Sequence, residues 1–130
     1  MKPERVDLHD AHEVRALIDR VVQTRWREVR RLSGGLDVRD NRGLHDFRIA
    51  CKRLRYALER FEVMDASFRA PAERLAQMQD ALGEAHDRDV LLAILPPTMA
   101  LTQRRLQRER EECVDRATAL WAELRDLMSL

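Results

Sequence analysis

The sequence predicts an all-α fold, an antiparallel four-helix bundle. Three observations carry that reading. Ala, Leu, Arg and Glu dominate, while aromatic residues make up only 5% of the 130 positions, a composition that favours helix over strand. Apolar residues recur at helical spacing in four separate stretches. Apart from Pro3 and Gly83, glycine and proline fall at the borders of those stretches. One domain spanning 1–130 accounts for the length, which suits one core but not two.

The first helix is predicted from about Asp10 to Leu32, with Val14, Leu17, Ile18, Val21, Val29 and Leu32 on one stripe. Ser33-Gly34-Gly35 ends it, with glycine where a left-handed cap is favoured. Leu36 to Gly43 reads as a polar loop. The second helix runs from about Leu44 to Met64 over an apolar face of Phe47, Ala50, Cys51, Leu54, Ala57, Leu58 and Phe61. Pro71 suits the first turn of a third helix, residues 71–95. That helix carries Leu75, Met78, Leu82 and Ala85, then Val90, Leu91 and Ile94. Gly83 interrupts it at about 1 kcal/mol relative to alanine, which a kink or a close helix crossing would explain. After Pro96-Pro97 the fourth helix spans 98–128, with Leu106, Cys113, Ala117, Leu120, Leu124 and Met128 inward. Its REREE run suits a solvated face with i,i+4 pairs.

Several classes are excluded. No run of about 18 apolar residues is present, so no membrane span or membrane partner is expected. The start, MKPERVDLHD, lacks the apolar core of a secretory signal. Two cysteines without a partner motif indicate a reducing compartment, hence the cytoplasm, and rule out a disulfide scaffold or a metal–cysteine fold. His9 and His12, and the His86-Asp87 pair, lack metal-ligand spacing and read as surface groups, so no metal or other cofactor is expected. Ser33, Ser67 and Ser129 lie in loops or at the terminus, and Cys51 and Cys113 lie on apolar faces where thiols are inert. No phosphate-cradling glycine loop exists, and Asp87 and Asp89, two apart, do not share a helix face. A non-enzyme with no catalytic residues is expected.

The net charge of +1 hides an asymmetry. The balance is −2 over residues 1–14, +7 over 15–60 and −4 over 61–130. All but Lys2 and Lys52 of the 24 basic residues are arginine, whose planar fork suits anion recognition; a GC-rich coding bias would give the same enrichment. At about 100° per residue, His45, Arg48, Lys52, Arg55 and Tyr56 share one sector of the second helix, opposite its apolar face. The row spans roughly 15 Å, and only Glu59 interrupts it. Like charges at i,i+4 destabilise a helix by a few tenths of a kcal/mol each, so a row broken only at its far end points to a bound polyanion. Arg20, Gln23, Arg27 and Arg31 lie away from the first helix's apolar stripe and would complete a basic groove if that face lies beside the second helix. Arg25 falls inside the stripe, where a buried cation needs a partner; Asp80 and Asp87 are candidates, or Arg25 reaches an internal anion site.

The segment LHDFRIACKRLRYALERF, with His45, Arg48, Lys52, Arg53, Leu54, Arg55 and Tyr56, resembles the first signature of the CHAD family, the conserved histidine α-helical domain. LAQMQDALGEAHDRDVLLAIL, with Leu82-Gly83 and Asp87, resembles the second. The resemblance implies four-helix units that bind inorganic polyphosphate through basic helix faces, at polyphosphate granules or beside triphosphate-handling domains. It carries the family histidine to His45 and the basic motif to Arg48, Lys52, Arg53 and Arg55; metal chelation by the family's histidines has also been an idea. Family members carry two such units, and this chain matches one, closest to the C-terminal half. A homodimer rebuilding the double unit is the expectation, and a degenerate half with reduced binding is the alternative.

The expected ligand is therefore polyphosphate, or phosphate and sulfate anions, at His45, Arg48, Lys52, Arg53, Arg55, Tyr56, Arg20, Arg27 and Arg31. Nucleic acid is the runner-up. Of the large aromatics Tyr56, Trp26 and Trp121, only Tyr56 borders the stripe, and base stacking needs exposed rings. A scaffold docking an acidic protein is the third reading, but it wants apolar anchors at the centre of the patch.

Overall fold

The computed structural model of the chain describes residues 1–9 and 11–129. Four long helices form the bundle: α1 (Val14–Leu32), α3 (Asn41–Phe61), α4 (Arg69–Ile94) and α5 (Ala100–Met128). A single-turn helix, α2 (Gly35–Val38), joins α1 to α3, and a 3₁₀ turn, Ala66–Phe68, precedes α4. There is no strand among the described residues. Each long helix packs against the next: α1 on α3, α3 on α4, α4 on α5. The ring of helices closes through aromatic contacts. Trp26 of α1 lies 5.4 Å from Trp121 of α5, and Phe47 of α3 meets Trp121 edge-on at 5.7 Å, geometries that add to area burial. Ile18, Val29, Phe47, Leu54, Leu58, Leu75, Met78, Val114 and Leu124 fill the centre.

The all-α bundle is as expected, but its details differ in four places. The predicted start of the first helix, Asp10, lies outside the described residues; α1 begins at Val14, which is exposed, and buries Val22 beside Ile18 and Val29. The predicted polar loop at 36–43 is largely helical. Leu36 is buried on α2, and α3 begins at Asn41 because the Asp40 carboxylate accepts the Gly43 amide at 3.0 Å, a side-chain cap for an orphan donor. Arg39 closes α2 at φ 62°, and its guanidinium spans Glu111 (2.8 Å) and Asp115 (2.7 Å) of α5.

The α3–α4 turn begins earlier than expected, since α3 ends at Phe61. There Asp65 accepts from the Ser67 amide and hydroxyl and from Arg15 of α1 at 2.6 Å. Those Ser67 and Arg15 hydrogen bonds hold the Asp65 carboxyl down at about 2. Finally, Val90, Leu91 and Ile94 are not core residues; they are exposed, as are Met99 and Leu101 across the α4–α5 turn. The physical reason is length. Asn41 at the start of α3 lines a depression with Asp89, so the end of α4 runs past its neighbour.

Candidate functional site

The basic row on α3 is placed by the burial of the opposite face. Phe47, Cys51, Leu54 and Leu58 are fully enclosed, which turns His45, Lys52 and Tyr56 to solvent and leaves Arg48 and Arg55 half-buried at the edges. Tyr56 is 49% exposed, with Lys52 Nζ 5.7 Å and Arg55 Cζ 5.1 Å from its ring centre, within cation–π range. Arg55 Nε forms an ion pair with Glu59 at 3.2 Å, without the geometry of a hydrogen bond. Arg48 makes no ion pair or hydrogen bond among the described residues.

Arg48 leans toward α4. Its Nη2 lies 3.7 Å from where a Cβ on Gly83 would be, so Gly83 leaves open the space that the guanidinium borders. No backbone of a neighbouring helix comes within reach of that position, so a close helix crossing does not account for the glycine. Arg48 shares that cleft with Gln79, Asp80, Glu84 and Asp87, and Gln79 Oε1 is a buried acceptor without a donor. On the other side Arg48 and His45 border a depression lined by Asn41, Leu82, His86 and Asp89. The α4 carboxylates beside Arg48 make the cleft side of its guanidinium negative, in contrast to its solvent side.

Arg53 lies on the opposite flank of α3, toward α1. It donates to the Met1 carbonyl at 2.7 Å and stands 3.8 Å from Glu28 of α1. Glu28 is fully buried and answers the question posed by Arg25: the partner of Arg25 is Glu28, not Asp80 or Asp87, and no internal anion site is needed. Arg25 also donates to the Glu4 carbonyl at 3.0 Å, and the Glu4 amide donates to Glu28 Oε2 at 3.0 Å. Arg31 pairs with the Glu4 carboxylate at 3.3 Å, and Arg20 donates to the Asp7 carbonyl at 3.0 Å. Arg27 stays exposed on α1.

The structure thus gathers His45, Arg48, Lys52, Arg55 and Tyr56 on one crest. It sets Arg20, Arg31 and Arg53 around the N-terminal segment on the α1 side. Sequence reasoning missed Glu28 and Glu4. The signal for Glu28 was present, since it lies one turn beyond Arg25 in the same apolar stripe.

The remaining chemistry is sparse. Burial pushes the Cys51 thiol well above its ordinary range and raises that of Cys113, so neither is an activated nucleophile. Among the described residues no three His, Cys, Asp or Glu side chains gather as a metal cluster. Among the described residues no helix is long and apolar enough to cross a membrane.

No curated protein and no solved structure matches the chain. The family profile of the CHAD domain matches residues 2–96, which takes in the N-terminal segment, α1, α3 and α4 and leaves α5 outside. That match covers most of the 130 residues, and the chain belongs to the CHAD-domain family.

Proposed function

We propose that this chain binds inorganic polyphosphate through the α3 crest, without turnover, in the cytoplasm and at polyphosphate granules. One observation carries the reading: Arg48 has no ion pair or hydrogen bond among the described residues, although it stands in a row of like charge where unrelieved repulsion is unfavourable. Phosphoryl oxygens along a chain would pair with Arg48 and Arg55 by forked, charge-assisted hydrogen bonds and with the point charge of Lys52, with His45 as a further donor. The family membership supports the same ligand. Half-exposed Tyr56 offers the single ring on which a base would stack, so nucleic acid is the competing ligand to test. The exposed Val90, Leu91, Ile94 and Leu101 support a second proposal, that two chains pair through the α4–α5 end as a symmetric dimer. A strict monomer in sedimentation would end it.

The test of function is a competition titration at two salt concentrations. Labelled long-chain polyphosphate is displaced by unlabelled polyphosphate, single-stranded DNA or RNA. Selective displacement by polyphosphate with a steep salt dependence is expected, and the ligand should raise the melting temperature by mass action. Equal displacement by nucleic acid would reduce the site to a general polyanion surface. The double variant Arg48→Glu, Arg55→Glu should keep its helicity and lose binding; binding that survives it would exclude the α3 crest.

A further inference from the structure

We propose that the groove between α1 and α3 is a second polyanion-binding face, closed by the chain's own N-terminal segment, and that polyphosphate displaces this strap. The inference rests on the polyphosphate reading above and adds a regulatory step to it. Four arginines from two helices converge on residues 1–7. Arg53 takes the Met1 carbonyl, Arg25 the Glu4 carbonyl, Arg31 the Glu4 carboxylate and Arg20 the Asp7 carbonyl. The strap therefore presents a row of oxygen acceptors to a row of guanidinium groups. In an extended chain its anchor residues, three apart, stand about 10 Å from one another. A phosphate chain presents the same kind of row with a full negative charge on each unit.

The competition favours the phosphate chain for a stated reason. Three of the strap's four acceptors are neutral carbonyls, and one is a carboxylate. The guanidinium donors are charged in either case, but a phosphoryl oxygen adds the attraction of a full opposite charge, which a neutral carbonyl lacks. With the strap lifted, the groove holds four cations against one carboxylate, Glu28, which keeps Arg25 as its close partner. The strap has one bond that a polyphosphate cannot replace, the Glu4 amide on Glu28. That bond holds the groove shut when no ligand is present, and its loss reports opening. Apparent affinity falls by the fraction of molecules whose groove is open, so loosening the strap should tighten binding.

The experiment uses the full chain and long-chain polyphosphate. Glu4→Pro removes both the amide donor and the carboxylate, and Glu4→Gln removes only the charge. Glu112→Gln, on the exposed face of α5, makes the same charge change elsewhere. Glu4→Pro should bind on the order of fivefold more tightly than wild type, Glu4→Gln less so, and Glu112→Gln within about twofold, all at unchanged helical circular dichroism. Hydrogen exchange at residues 4–7 of the wild type should accelerate as polyphosphate saturates. Equal affinities in the Glu4 variants and Glu112→Gln, with exchange at residues 4–7 unchanged at saturation, would overturn the strap while leaving polyphosphate binding intact. Absence of polyphosphate binding by the wild type would fell the functional reading, and this inference with it.

Discussion

The two flanks of α3 handle the same residue type in opposite ways. Toward α1, Arg53 meets a buried carboxylate and a backbone carbonyl, and a strap of the chain covers it. Toward α4, Arg48 borders a cleft, beside a glycine and with no ion pair or hydrogen bond to another described residue. The two residues are five apart on one helix. Their difference separates an arginine whose partners the chain itself supplies from one that stands open to a ligand without any rearrangement. Charge counting along the sequence treats them alike; the partner that the neighbouring helix supplies decides which is which.

The largest expected effect breaks the structural flank. Glu28→Ala removes the fully buried carboxylate that pairs with Arg25 and stands 3.8 Å from Arg53, and breaking such a buried pair destabilises by about 3 kcal/mol or more. Arg48→Ala, the matching change on the other flank, removes no bond and should stay within about 0.5 kcal/mol of wild type while weakening polyphosphate binding. Urea denaturation of both variants checks this. Equal losses of stability would mean that the two flanks are alike.

A smaller effect sits where α2 turns into α3. A Cβ at Gly35 would run into the backbone of Gly43, a contact that rotamer change cannot relieve. Gly35→Ala should lower stability by about 1–3 kcal/mol, the range for forcing extra volume into a packed site. The other end of α3 should respond to acid instead. Asp65 titrates at about 2, below its ordinary 3.8, so its tie to Ser67 and Arg15 stabilises fully above pH 4 and is lost as pH falls toward 2. Arg15→Gln should raise that midpoint, as read by carboxyl NMR. The effect on stability is modest because the partner of Asp65, Arg15, is exposed and salt screens the pair.

How much of this was legible depended on how many helices each feature needs. The α3 crest needs one, because a single wheel separates Phe47, Cys51 and Leu54 from His45, Lys52 and Tyr56. The four long helices were legible for the same reason. Leu36 was not, since a single turn is too short for periodicity to mark it. The partner of Arg25 was sought on another helix when Glu28 stood one turn away on its own. Residues 1–7 carry no periodic pattern, so nothing in the sequence revealed that their carbonyls would claim Arg20, Arg25 and Arg53. Placing Arg31 and Arg53 on one groove required the rotation of α1 about its axis, which only packing sets. The ends of α4 were misjudged because Val90 and Ile94 keep the helical spacing after the neighbouring helix has ended.

The last change should carry the opposite sign and sharpen the ligand-facing flank. Gly83 lies inside α4, where glycine is less favourable than alanine by roughly 0.5–1 kcal/mol. An added Cβ would meet only Arg48 Nη2, at an ordinary contact distance of 3.7 Å. Gly83→Ala should therefore raise stability by up to about that amount. Its effect on binding reports what the glycine is for. If Arg48 must settle back against α4 to take a phosphoryl oxygen, the methyl group obstructs it, and polyphosphate affinity falls while stability rises. If Arg48 reaches outward to the chain, affinity is unchanged. The carboxylates of Asp80, Glu84 and Asp87 line the α4 side of that cleft and repel an anion from it, so the outward pose is expected. A more stable variant with wild-type affinity is the predicted result, and a loss of affinity would place the bound chain inside the α3–α4 cleft.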